Sequence, residues 1–341
     1  MRLHLHVGHG KTGSSFLQSW LSINAMALQE RAGLLYPHRC SFSGRSDPRA
    51  KQSQFSMGNG YVLDPLLDPC CSPYRARRWS RRLFRHHGVT AKALNGVVFS
   101  CEPWARSLPA QLKHLLSLSE LLGFEGVELW LLVRDPLDHA ISVYGQMVKR
   151  HGFSGDLEDW LEIYDFPKAL LNFLEIVESH VGNISLKVDH YGRNKSSLVD
   201  LLKSWLSLPS DICYKEPKSA FVNRSLTLQE LNLMRHLNAR DPAVACLVGE
   251  RLVDQLPAIR SEVLFPSSLI EQRFIARWQN TVNQINSLLP ASAFLNLCRL
   301  SEVSFSKAED SVPSDESMIV LSCDQIDCIL DIFLPGQNPL L

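Results

Sequence analysis

Residues 3–15, LHLHVGHGKTGSS, constrain the fold of this chain more than any other stretch. The alternating apolar residues of LHLHV read as a strand, GHGKTG as a tight glycine-spaced loop, and the residues from Ser14 as the start of a helix. In SSFLQSWLSINAMALQERAG, Phe16, Leu17, Trp20, Leu21 and Leu28 fall near one helical stripe. That pattern predicts a single helix closed by Gly33. The alternation then repeats. LLYP restarts as a short strand, and GVVFSCE (96–102) is a β-branched strand. PAQLKHLLSLSELLGF is a helix opened by Pro109, and VELWLLVRD (127–135) is a buried strand. NISLKVDHY (183–191) follows the helix PKALLNFLEIVESHVG, and residues 226–289 read as mostly helical. Strands separated by helices predict an α/β fold with a parallel sheet flanked by helices, and a helical C-terminal half.

The 341 residues, 45% of them hydrophobic, suffice for one large domain or two small ones. Two segments break the rhythm. Residues 40–75 are rich in Ser, Gly, Pro and Asp, too long for an ordinary connection, and loops of that kind are usually functional or mobile. Residues 301–341 open with the polar SEVSFSKAEDSVPSDES. The expected division is therefore a main domain over 1–300 and an extension over 301–341. Lys+Arg and Asp+Glu balance at 35 each, so there is no global basic field, which argues against nucleic acid or acidic membranes as partners. An anionic ligand must then be held by local groups. The nine cysteines include no CxxC pair, which predicts reduced thiols and no zinc site. The N-terminus carries no secretory pattern, and VELWLLV falls far short of the roughly 20 apolar residues of a membrane span. A cytoplasmic protein is expected.

A strand, a glycine loop and a helix N-terminus make an anion site, because the first helical N–H groups are unpaired and the helix dipole is positive there. Lys11 adds a full charge. A Walker A loop needs a glycine five residues before Gly10, and that position is Leu5. The loop is too short to wrap a triphosphate and suits a terminal phosphate or phosphosulfate; the alternative is a glycine turn with a solvated lysine. In LLVRDPLDHAISVYGQ, Arg134 ends a buried strand and Ser142 lies on the next helix, at the carboxyl edge where open α/β sheets bind ligands. An arginine fork and a hydroxyl can grip a second phosphate; alternatively Arg134 pairs with Asp135 or Asp138.

In this order the two motifs resemble those of the sulfotransferases that use 3′-phosphoadenosine 5′-phosphosulfate (PAPS). KTGSS is similar to the family's loop for the 5′-phosphosulfate, at Lys11, Thr12, Gly13, Ser14 and Ser15. Arg134 and Ser142, eight residues apart, match the family's 3′-phosphate motif. FVNRSLTLQELNLMRHLN is similar to a stretch of bacterial carbohydrate-type members. The resemblance implies a P-loop-like fold, PAPS as co-substrate, no metal, and a hydroxyl or amine acceptor such as a glycan. The Arg-Lys-Gly loop and the Lys-Thr-His segment of the cytosolic small-molecule branch are absent, which points to the bacterial and Golgi carbohydrate or protein-modifying branches. Golgi members carry a membrane anchor ahead of the loop, so the bacterial, carbohydrate-type branch is the expectation.

Sulfuryl transfer is an in-line displacement served by positioning and charge stabilisation. Lys11 is expected to neutralise charge on the leaving group, and a general base must take the acceptor's proton. Glu102, ending GVVFSCE, is the candidate, with His9 as the alternative; His4 and His6 read as packing residues. Competing functions are a P-loop kinase or ATPase and a non-catalytic nucleotide-pocket protein. YRARRWSRRLFRHH interleaves six arginines with Trp79 and Phe84, either as a surface for an anionic polysaccharide or nucleic acid, or as a solvated helix face paired with acids.

Overall fold

The computed structural model describes residues 1–37, 58–180, 182–217, 224–297 and 319–333. The fold is α/β, a five-stranded parallel sheet with helices between the strands: β1 (Arg2–Val7), β2 (Leu34–Leu35), β3 (Gly96–Cys101), β4 (Val127–Val133) and β5 (Ile184–His190). Their order is β2-β3-β1-β4-β5. With β1 in the middle, the loop that follows it opens at the carboxyl edge between the ends of β3 and β4. Val7 is in register with Cys101 on one side and Leu131 on the other.

Two compact units divide the chain. The first comprises Met1–Arg134, Asp165–Val222 and Asn280–Leu295, and holds the sheet. Its core joins Leu17, Trp20 and Leu21 to Val98, Trp130, Leu198 and Trp205. The second comprises Asp135–Tyr164, Asn223–Gln279 and Asn296–Leu341. Its core is helical, with Tyr144, Val148, Leu231, Met234, Val248, Leu252 and Cys328 packed together.

The helix expected over 14–33 is two: α1 (Ser14–Ile23) and α2 (Ala25–Ala32). Asn24 separates them because its side chain has other partners. Its Nδ2 donates to the carbonyls of Trp20 and Lys215, both at 2.9 Å, and its Oδ1 accepts the Lys215 N–H at 2.8 Å. An Asn amide that competes with the helical ladder in this way breaks it locally. Gly33 closes α2 as expected, at φ 65° in the left-handed region.

His4 and His6 are packing residues, both buried. The His4 Nδ1 lies 3.2 Å from Glu128, and its ring meets Trp205 edge-on. The His6 Nδ1 lies 2.8 Å from the Ser100 hydroxyl, which also accepts from Gln18 Nε2 at 3.1 Å. Burial pushes His6 down to about 4, so it is neutral at pH 7. This polar bridge ties β1, β3 and α1 together just beneath the loop. Among the described residues no helix is long and apolar enough to cross a membrane, and every cysteine is a free thiol. The expected loop over 40–75 falls partly outside the described residues. Its later part holds a short helix, Asp64–Leu67, and the start of the helix Pro73–His86.

Candidate anion-binding site

The loop backbone is unusual at three positions. Gly10 (φ 56°), Lys11 (φ 49°) and Gly13 (φ 80°) are all left-handed, with Thr12 between them not so. Alternation of this kind turns successive N–H groups into one concavity, an anion-binding nest. Lys11 is one of two described non-glycine residues at positive φ. A side chain held there costs about 1–2 kcal/mol, and such outliers gather at functional sites. Gly13 caps α1, and its carbonyl takes the first helical bond, from Leu17 at 3.1 Å. The amides of Ser14, Ser15 and Phe16 therefore point out of the helix end without an intrahelical acceptor.

The side chains of the loop fit an oxygen-rich anion. The Thr12 and Ser14 hydroxyls are buried, and neither has a hydrogen-bond partner within the described protein. Burying a hydroxyl without a partner costs about 1–3 kcal/mol, a cost that phosphate oxygens would offset. Ser15 is half-buried on the first turn of α1.

Three of the expected residues meet here although they are far apart in sequence. The Lys11 N–H donates to Glu102 Oε1 at 3.3 Å. Arg134 Nη1 donates to the Lys11 carbonyl at 3.1 Å. Glu102 thus sits against the loop, at the turn just after β3, and Arg134 against its other side, at the end of β4. The contact at Glu102 is tight: a Cβ on Gly8 would lie 2.4 Å from the Glu102 Cα. Arg134 makes no ion pair among the described residues; its guanidinium lies over the Tyr191 ring, 5.6 Å from the centroid. Ser142 belongs to the second unit, half-buried on the helix Pro136–Arg150. His9, the alternative base, is buried with its ring 4.2 Å from that of Phe166. Burial, with Asp64 and Glu102 near, pushes the neighbouring Cys101 thiol up to about 12, which removes it as a thiolate nucleophile.

Tyr191 is the site residue that sequence reasoning missed. It follows β5 directly, and its N–H donates to the Val133 carbonyl at 2.8 Å. The ring carries the Arg134 guanidinium and walls the loop, since a Cβ on Gly13 would lie 3.1 Å from Tyr191 Cε2 and 2.8 Å from Leu198 Cδ1. Its place at the carboxyl end of the last strand was the available signal. Gly13→Ala is expected to cost more stability than Gly123→Ala in urea unfolding. Both glycines are left-handed, but nothing lies within 4 Å of a Cβ at Gly123. The backbone term of about 1–2 kcal/mol is shared, so the excess measures the crowding against Tyr191 and Leu198.

No family model matches the chain, and no curated protein does. Solved structures similar to it include a sulfotransferase from Alicyclobacillus acidocaldarius, at a TM-score of 0.43 and 12% identity over 84% of this chain and 95% of that one. The sulfotransferase domain from the curacin biosynthetic pathway aligns at 0.35 and 14%, over 82% and 97%. Retinol dehydratase in complex with androsterone and inactive cofactor PAP aligns at 0.31 and 11%, over 87% and 83%.

Proposed function

We propose that this protein transfers a sulfuryl group from PAPS to a hydroxyl or amine acceptor. The observation that carries the proposal is the short left-handed loop at Lys11, with its buried Thr12 and Ser14 hydroxyls, braced between Glu102 and Arg134. The amides and hydroxyls of Thr12 to Ser15 hold the 5′-phosphate end of the donor, and Lys11 neutralises the charge that grows on the leaving oxygen. Arg134, steadied by Tyr191, grips the 3′-phosphate. Glu102 is the base that takes the acceptor's proton. No step in this scheme needs a metal, and the bacterial, carbohydrate-type branch remains the best match to the motifs.

The test is a melting scan without Mg²⁺. Adenosine 3′,5′-bisphosphate at about 100 times its dissociation constant should stabilise the fold by about 2.7 kcal/mol. The analogue lacking the 3′-phosphate should bind about ten- to a hundredfold more weakly, in line with about 1.5–3 kcal/mol for charged hydrogen bonds. Arg134→Gln should erode that preference. A larger shift with ATP and Mg²⁺ would favour a kinase, a reading to which one observation lends weight: a carboxylate at the end of the strand beside the loop is also where a magnesium ion could be positioned.

A further inference from the structure

We propose that the helix Pro73–His86 is a docking surface for a linear anionic polysaccharide. The helix begins at Ser72, whose hydroxyl accepts the Arg75 N–H at 3.3 Å. It is seated by Ala76, Trp79, Leu83 and Phe84, all buried, and the Trp79 N–H donates to the Val62 carbonyl at 2.9 Å. With about 3.6 residues per turn, those four take one side. Arg75, Arg77, Arg78, Arg81, Arg82 and Arg85 take the other, and every one of them is exposed. Together they cover an arc of about 160° over about 15 Å of helix.

Five of these charges are not spent on the described protein itself. Among the described residues Arg75, Arg77, Arg78, Arg81 and Arg85 make no ion pair, and the Arg81 Nε only donates to the Arg77 carbonyl, at 3.4 Å. A strip of like charges repels itself, and a polyanion relieves that repulsion by complementarity while releasing its own counterions.

The side chains also discriminate between polyanions. Single-stranded nucleic acid is held by bases stacked on exposed rings, and here Trp79 and Phe84 face inward, leaving Tyr74 at the helix start and the His86 imidazole at its end. In duplex binders such a basic stripe sits on a domain that is itself strongly basic, whereas this chain has no net charge. One narrow strip suits a single flexible chain with carboxylate or sulfate groups along its length.

The experiment is fluorescence anisotropy of the full chain with short fluorescein-labelled heparin chains, between about 50 and 200 mM salt. Binding is expected, with an affinity that falls steeply as salt rises. The triple variant R78Q/R81Q/R85Q should weaken it at least about tenfold and lower the log–log salt slope by about three, roughly one unit for each lost contact. The R78K/R81K/R85K variant should stay within about threefold of the parent, because charge dominates counterion release. All three sites are exposed, and far-UV circular dichroism checks that both variants keep their helix. The proposal is overturned if heparin does not bind at the lowest salt, or if the glutamine variant binds like the parent. It is overturned equally if the lysine variant falls as far as the glutamine one, or if a labelled DNA duplex binds more tightly than heparin at equal salt.

Discussion

Glu102→Gln is expected to lower sulfuryl-transfer turnover by about 10²–10⁴-fold, with affinity for adenosine 3′,5′-bisphosphate unchanged. The substitution is nearly isosteric, and the glutamine Oε1 can still accept the Lys11 N–H that the carboxylate accepts now at 3.3 Å. The loop therefore keeps its support and only basicity is removed. Transfer from radiolabelled PAPS into a fractionated host extract gives the rate, and calorimetry with the bisphosphate gives the affinity. Lys11→Ala should behave differently, losing turnover and donor affinity together, because in the proposed scheme that side chain serves both the donor and the developing charge. If Glu102→Gln turns over like the parent while His9→Ala abolishes transfer with donor affinity intact, the base is His9. Loss of bisphosphate binding in Glu102→Gln would instead make Glu102 a brace for the loop.

Arg224→Met is expected to destabilise the second unit by about 3–5 kcal/mol, the usual cost of leaving a buried charge without its partner. Glu230 is fully buried, and Arg224 meets it with two parallel bonds of 2.7 and 2.8 Å. Glu230 also accepts the Thr227 N–H at 2.8 Å in a capping box and Gln325 Nε2 at 2.7 Å. Arg224 in turn donates to the carbonyls of Leu252 and Leu256. The cluster joins the helices Leu228–Asn238, Pro242–Gln255 and Cys323–Phe333. Burial by itself pushes the Glu230 carboxyl up, but Arg224, Thr227 and Gln325 together hold it below the usual carboxylate range. A folded pKa below the unfolded one adds stability above the unfolded value, which is lost as pH falls through the folded value. Without Arg224 burial prevails and the carboxyl binds a proton more readily, so the cost should be largest near pH 7 and shrink towards pH 4. Urea unfolding across that range measures it. A cost that does not change with pH would mean that lost packing, not an uncompensated charge, explains the loss.

The stretch FVNRSLTLQELNLMRHLN shows how far sequence likeness reaches. Its sequence is similar to a sulfotransferase segment, and in the structure Arg224, Thr227 and Glu230 from it form this buried cluster. Residues 221–223, at its start, lie outside the described residues. The arginine-rich stretch YRARRWSRRLFRHH is a second case. Its helix follows from spacing, but spacing could not tell whether Trp79 and Phe84 faced a ligand or the core. They face the core.

What the sequence determined is what short-range physics writes. Two-residue alternation marked β1, three- and four-residue spacing marked the helices, and the glycines around Lys11 marked a tight loop. Those signals reach only a few residues, which is enough for a parallel α/β sheet and for a loop suited to an anion. They did not reveal the break at Asn24, because its cause is Lys215, 191 residues away. Nor could they bring Glu102 and Arg134 to Lys11 across 91 and 123 residues, or place Tyr191 beneath the guanidinium. Strand order decided that. With β1 in the centre, the ends of β3 and β4 flank one loop, and a carboxylate and a guanidinium distant along the chain become the two braces of a single lysine.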